Sequence, residues 1–144
     1  MSNTDFLRRS EAFILPPGFT QGRIFTFRVG DYSGQAEVDG WNPDTREAVE
    51  ICQSESDGTP KPGQKRKLAS DVLKLVFLTE QGLITKGRVI VTSEELYTWL
   101  HQSGSWLSAA CRHYKIPVEL KRQDKKRVRK RIRNLINSAR RENS

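Results

Sequence analysis

Long apolar runs, paired cysteines and a leader-like N-terminus are all missing from this sequence. No hydrophobic run approaches the ~20 residues that a membrane-spanning helix needs, and residues 1–9 lack the apolar core of an export signal. Cys52 and Cys111 lie far apart and neither belongs to a CxxC motif, which predicts two buried thiols and disfavours a disulfide framework or zinc site. We therefore expect a cytoplasmic protein that does not act at a membrane.

Excess positive charge is confined to the end of the chain. Residues 121–144 contain 11 Lys and Arg against Asp124 and Glu142, a net charge of +9, whereas residues 1–120 contain 14 basic and 15 acidic residues, a net charge of −1. Such an element attracts polyanions and releases counterions when it binds phosphates. We expect a basic C-terminal helix that binds the backbone of nucleic acid through Lys125, Lys126, Arg127, Arg129, Lys130, Arg131 and Arg133.

With 144 residues the chain is sized for one domain spanning residues 1–144. Apolar periodicity predicts helices over residues 5–15, 64–81, 105–114 and 124–139, and one that opens with a capping box at Thr92 and runs through Trp99. Strands are predicted over residues 23–29, 35–41, 46–53, 87–92 and 116–120, with a turn over residues 30–34 and a loop over residues 54–63. The fold class is α/β, a mixed central sheet (a three-strand meander plus a βαβ crossover strand) flanked by helices. Trp99 and Trp106 occupy apolar helical positions, which predicts core packing.

Asp39 and Glu50 are predicted to meet across the hairpin of the second and third strands. If Trp41 faces Arg46, Glu50 lies diagonal to Asp39; in the alternative register the two are directly opposite. Either register places their Cβ atoms within roughly 5 to 8 Å. Two carboxylates so close repel each other unless a cation lies between them, and hard oxygen ligands suit Mg²⁺. Strand alternation makes Glu37 a third acidic candidate, and a solvated polar face is the competing interpretation.

The long helix carries one narrow polar row on an otherwise apolar surface. Gln64, Lys67, Asp71 and Lys74 follow one another at spacings of three and four, which keeps them on one face. The strands at residues 37–40 and 48–53, together with the helix at residues 63–75, resemble the PD-(D/E)XK nuclease superfamily. The resemblance implies a restriction-endonuclease-like core and metal-dependent phosphodiester hydrolysis.

The same resemblance assigns roles to individual residues. Asp39 is the first ligand of Mg²⁺ or Mn²⁺, Glu50 is the second, and the backbone carbonyl of Ile51 is a further one. Glu11 on the first helix is a match for the accessory acid of the superfamily. By analogy with small nucleases of this type, a homodimer is also expected.

The motif lysine, which should follow Glu50 by two residues, is replaced by Cys52. A thiol cannot supply the positive charge that an ammonium gives. Some members of the superfamily carry the lysine on the following helix, where Lys65 and Lys67 stand here. Lys67 is favoured because it belongs to the polar row, and Gln53 is a second substitute that alternation sends to the opposite face.

These residues predict a Mg²⁺-dependent endonuclease whose substrate is nucleic acid, with DNA as the first expectation. One alternative is an inactive nucleic-acid-binding module that kept the fold and lost the lysine. The other is a protein-interaction subunit in which the basic helix contacts an acidic partner.

Overall fold

A computed structural model describes residues 14–53, 59–102 and 104–122, together with residues 133, 134, 136, 137 and 139. Residues 5–13 of the predicted first helix, with Glu11, and the basic residues 125–131 lie outside these residues. Arg133 is described and exposed.

Within the described ranges the sheet has five strands arranged in chain order. An antiparallel meander of the first three is followed by two parallel pairings. Helix α1 connects β3 to β4, and helices α2 and α3 connect β4 to β5. The bounds are β1 (Thr20–Val29), β2 (Tyr32–Asn42), β3 (Glu47–Cys52), α1 (Pro62–Glu80), β4 (Lys86–Val91), α2 (Glu94–Gln102), α3 (Trp106–His113) and β5 (Val118–Leu120). The α/β class, the meander and the βαβ crossover are therefore confirmed, and β5 lies at the sheet edge. It is shorter than the predicted strand over residues 116–120, because Pro117 precedes it.

Alternation along β3 decides which side chains face α1. Ala48 and Cys52 belong to the main core cluster, which also contains the apolar stripe of α1, whereas Val49 and Ile51 pack in a second cluster with Ile14. Because neighbouring residues of a strand point to opposite faces, Glu50 shares the α1 side with Ala48 and Cys52. The buried residues of α2 and α3 belong to the same main cluster.

The helices begin slightly earlier or later than the sequence predicted. Helix α1 starts at Pro62, two residues before the predicted start, because proline suits the first turn, where the N–H has no helical partner. Helix α2 is capped by Ser93, whose Oγ accepts a hydrogen bond from Leu96 N at 3.2 Å, so the capping role assigned to Thr92 was wrong. In the described part of the chain no helix combines the length and apolarity needed to cross a membrane.

The first hairpin is tighter than predicted. Val29 pairs with Tyr32, so only Gly30 and Asp31 form the turn, and Gly30 adopts a left-handed φ of 60°. Two-residue turns of this kind match the twist of the flanking strands. The predicted turn over residues 30–34 was therefore too long, and β2 begins at Tyr32 rather than residue 35.

The tryptophans divide between core and surface. Trp41 is buried and its ring packs edge-on against Phe25 with centroids 5.0 Å apart, and Trp99 packs against the main core cluster. Trp106 is 73% exposed, so its predicted place in the core was wrong. It is the first residue of a helix of eight residues that buries its other side. Cys52 and Cys111 are free and buried, as predicted.

Gly87 sets how closely α1 can approach β4. A Cβ atom at this position would lie 2.8 Å from Leu75 Cβ and 2.9 Å from Leu75 Cδ2. We expect Gly87→Ala to lower the free energy of unfolding by about 1–3 kcal/mol through overpacking. The control is Gly63→Ala in the first turn of α1, where a Cβ would meet nothing within 4 Å and where alanine should be neutral or stabilising by up to about 1 kcal/mol. Urea unfolding measures both; equal stabilities would contradict this packing.

Candidate functional site at the β2–β3 opening

The hairpin adopts the direct register. Trp41 pairs with Ala48 and Gly40 pairs with Val49, so one further step along both strands places Asp39 opposite Glu50. The alternative register with Trp41 facing Arg46 was wrong, because Arg46 lies in the turn with a left-handed φ of 62° and donates its N–H to Asn42 O at 2.7 Å. Both acidic residues therefore lie at the same level of the sheet.

Side chains replace the backbone ladder beyond Gly40 and Val49, the last pair between β2 and β3. Asp39 Oδ2 accepts a hydrogen bond from Ile51 N at 2.7 Å. Lys74 reaches in from α1 and donates to Glu37 O at 2.9 Å. Each bond satisfies a backbone group at the point where the strands separate. We call this place the β2–β3 opening, defined by Asp39, Glu50 and Lys74.

Strand alternation breaks at Asp39. The pairs that flank it are Arg23 with Val38 and Gln21 with Gly40, and Gly22, which stands between them on β1, has a left-handed φ of 73°. Val38 and Trp41 both pack in the main core cluster although regular alternation would place them on opposite faces. The irregularity turns Asp39 toward Ile51.

The same break separates Glu37 from the acidic pair. Its side chain is exposed, and its Oε1 atom would lie 3.6 Å from a Cβ built on Gly22. The structure therefore does not bring the Glu37 carboxylate to Asp39 and Glu50 as simple alternation predicted. Its backbone carbonyl does take part, as the acceptor for Lys74.

Glu50 is a buried acid at the centre of the sheet. It is 2% exposed, and Lys74 Nζ contacts its Oε1 atom at 3.1 Å. Burial raises the pKa of Glu50 to about 9, the negative charges of Asp39 and Asp71 add to this, and Lys74 opposes it. At neutral pH the acid therefore holds a proton, and its carbonyl oxygen still accepts the hydrogen bond from Lys74. An added cation would favour the ionised form.

Lys67, Asp71 and Cys52 form a bonded cluster beside Glu50. Asp71 Oδ2 accepts hydrogen bonds from Lys67 Nζ at 2.8 Å and from Cys52 Sγ at 3.1 Å. Lys67 Nζ also lies 3.5 Å from Ile51 O. Burial alone lowers the pKa of Lys67, but the negative charge of Asp71 and the hydrogen bond to it outweigh this effect and raise that pKa overall. Lys67 is therefore an ammonium ion at any physiological pH.

The other lysine candidate lies elsewhere. Lys65 Nζ sits 4.6 Å from the centre of the Trp99 ring, so the structure does not bring it to the acidic pair as predicted. Gln64 has a structural task, because its Oε1 atom accepts a hydrogen bond from Lys61 N at 3.0 Å at the start of α1. Gln53 follows the end of β3 with the parity of Val49 and Ile51, which face away from α1.

Asp71 and Lys74 were visible in the sequence as members of the polar row but received no role there. Their spacing from Lys67 places all three on one face of α1. What the sequence could not show is where this face lands on the sheet. The helix crosses β3 with this row against the strand. Lys74 therefore donates a hydrogen bond to Glu50, and Asp71 accepts one from Cys52.

Oxygen atoms from both strands lie at the β2–β3 opening and are the ones that could hold a cation. Asp39 and Glu50 supply two carboxylates, and the carbonyl of Ile51 lies on the same stretch of β3. Across the described ranges no group of three or more His, Cys, Asp or Glu side chains is arranged to hold a metal. A two-carboxylate site suits Mg²⁺, which usually binds proteins through one or two carboxylates and keeps several waters.

In comparisons with known proteins, no family model, no curated protein and no solved structure matches this chain.

Burial of Glu50 makes folding stability depend on pH. The folded protein keeps the proton up to about pH 9, whereas the unfolded chain releases it near the ordinary value of 4.5. Between these values the folded state binds more protons, so stability falls as pH rises, by up to about 1.4 kcal/mol per pH unit. Glu50→Gln removes the titrating group and should flatten this slope. Unfolding curves at pH 5, 7 and 9 measure it; parallel pH dependences for the two proteins would show that Glu50 is ionised throughout.

Proposed function

We propose that the protein is a metal-dependent nuclease that hydrolyses phosphodiester bonds in DNA, with a PD-(D/E)XK-type site whose lysine stands on α1. One observation carries the proposal. Lys67 Nζ lies 3.5 Å from the carbonyl of Ile51, the residue between Glu50 and Cys52, and therefore beside the position of the missing motif lysine. An acid on each of two adjacent strands and an ammonium at this point are the groups that such a site requires.

The fold supports the same proposal. An antiparallel meander that leads through a helix into a strand parallel to its third member is the core that the resemblance implies. Asp39 stands on the second strand of the meander and Glu50 on the third, as the superfamily places its two acids. A restriction-endonuclease-like fold is therefore part of what we propose.

Each residue of the site has a distinct task in this mechanism. Asp39, Glu50 and the Ile51 carbonyl would hold Mg²⁺, and Mn²⁺ can replace it. A bound Mg²⁺ supplies a water of lowered pKa and stabilises charge on the phosphate. Lys67, permanently charged, stabilises the negative charge that develops on the phosphate and does not act as a base. Lys74 donates hydrogen bonds to Glu50 and to the backbone carbonyl of Glu37, and so fixes the position of the Glu50 side chain.

The basic C-terminal segment would hold the substrate. Its charge neutralises phosphates without reading base sequence, so binding should weaken steeply with salt. In this proposal the segment binds nucleic acid without sequence preference, and the β2–β3 opening determines which phosphodiester bond is cut.

Cys52 favours one alternative, a nucleic-acid-binding module without catalytic activity. The thiol occupies the position of the motif lysine, and burial together with the charge of Asp71 raises its pKa, so that it remains uncharged. The two functions differ in a single respect, because both bind nucleic acid and only the nuclease cuts it.

A cleavage assay with matched lysine variants tests the nuclease. Supercoiled DNA, linear DNA and RNA are incubated with the full chain in Mg²⁺, in Mn²⁺ and in EDTA. We expect metal-dependent cleavage of DNA that Asp39→Asn and Glu50→Gln abolish and that Lys67→Met reduces roughly 10²- to 10³-fold, the usual loss when one transition-state donor is removed.

The control is Lys65→Met, which removes the same charge two residues away on α1 and should leave cleavage unchanged. Metal-dependent cleavage that survives Asp39→Asn would refute the proposed site. Salt-sensitive binding without cleavage would identify the inactive module, and the absence of both would favour a protein-interaction subunit.

A further inference from the structure

Asp71 is a buried carboxylate for which the proposed reaction has no direct use. It is 5% exposed and is the buried member of the polar row of α1 that Lys67 and Lys74 also belong to. Burying a carboxylate costs several kcal/mol unless hydrogen bonds or an opposite charge compensate it. Its Oδ2 atom has both, from Cys52 Sγ at 3.1 Å and from Lys67 Nζ at 2.8 Å.

Helix stability does not explain the pair between Lys67 and Asp71. The lysine precedes the acid by four residues, which is the less favourable order for such a pair and sets the charges against the helix dipole. Lys67 is also 52% exposed, and an exposed lysine loses side-chain entropy when it is held in one place. An aspartate that is itself held by a second hydrogen bond gives such a lysine a fixed acceptor and keeps its side chain ordered.

Cys52 bonds the same Oδ2 atom of Asp71 from the side of the sheet. The thiol lies on β3 and donates to Asp71 across the interface between α1 and the sheet. The chain of contacts runs from β3 through Cys52 and Asp71 to Lys67, and Lys67 returns to β3 at the carbonyl of Ile51.

We propose that Asp71 is a positioning residue that, anchored by Cys52, holds the ammonium of Lys67 against β3 at the place of the missing strand lysine. The proposal rests on the nuclease function for its catalytic consequence. Its structural part, the dependence of the order of Lys67 on Asp71, stands independently. Asp71 itself touches neither substrate nor metal and acts through Lys67 alone.

A double-mutant cycle in kcat measures this dependence. We expect Asp71→Asn to lower kcat roughly 10- to 100-fold, the usual loss for a residue that orients a functional group, with KM little changed. In the Lys67→Met background the same change should cost nothing further, because the group that Asp71 positions is gone. A further loss equal to the first would show that Asp71 acts independently of Lys67 and would overturn the proposal.

Conservative variants separate positioning from packing. Cys52→Ser keeps a hydrogen-bond donor to Asp71 and should retain kcat, whereas Cys52→Val fills a similar space without a donor and should lose it. Equal activities of these two variants would contradict the anchoring role of Cys52. Unfolding curves for each variant show that the comparison is made between folded proteins.

A measurement on the unmodified chain keeps the inference independent of cleavage. In protein labelled with ¹⁵N-lysine, Lys67 should give an ammonium resonance protected from exchange with water, and Asp71→Asn should abolish it. The resonance is assigned by its loss in Lys67→Met and its persistence in Lys65→Met. A chain that shows this resonance but no nuclease activity refutes the proposed function and leaves the positioning intact. An unprotected Lys67 in the unmodified chain overturns the positioning, whatever the activity.

Discussion

Two buried carboxylates, Glu50 on β3 and Asp71 on α1, govern how α1 lies on the sheet. Neither can enter the interior without a partner, since an uncompensated charge at Asp71 and an unpaired polar group at the protonated Glu50 are both unfavourable there. Two lysines from the polar row of α1 provide these partners: Lys74 contacts Glu50 and Lys67 contacts Asp71. Because Lys67 and Lys74 directly precede Leu68 and Leu75, which pack into the core, apolar packing and the two polar contacts require the same rotation of α1.

The opening between β2 and β3 follows from the same constraint. A regular ladder past Gly40 and Val49 would satisfy the backbone of both strands internally and leave no place for a carboxylate at Ile51. Instead, Asp39 takes the N–H of Ile51 and Lys74 takes the carbonyl of Glu37. The break is prepared on the neighbouring strand, where Gly22 adopts a left-handed conformation opposite Asp39. Local irregularity at a site of this kind commonly re-aims one functional side chain.

Much of this arrangement can be predicted from the sequence, and the predictions that were wrong have identifiable physical reasons. Periodicity predicts the meander, the crossover and the polar row of α1, because burial imposes periods of two and 3.6 residues on apolar positions. Alternation misplaces Glu37, since it assumes a regular strand where Gly22 and Asp39 break it. Pattern also misplaces Trp106, because a short helix can leave an apolar residue outside. The polar row favours Lys67 over Lys65, but it cannot show that Lys65 lies against Trp99 and Lys67 against Asp71.

In the nuclease that we propose, the catalytic lysine has moved from β3 to α1, and Cys52 and Asp71 hold it in place. The most direct test returns it to the strand by combining Cys52→Lys with Lys67→Met. A lysine at position 52 would extend from the strand toward Asp71, which Lys67→Met has left without its ammonium partner. DNA cleavage lost in Lys67→Met should reappear in the double variant. A folded double variant as inactive as Lys67→Met, or full activity in Lys67→Met alone, would contradict the displacement of the catalytic lysine to α1.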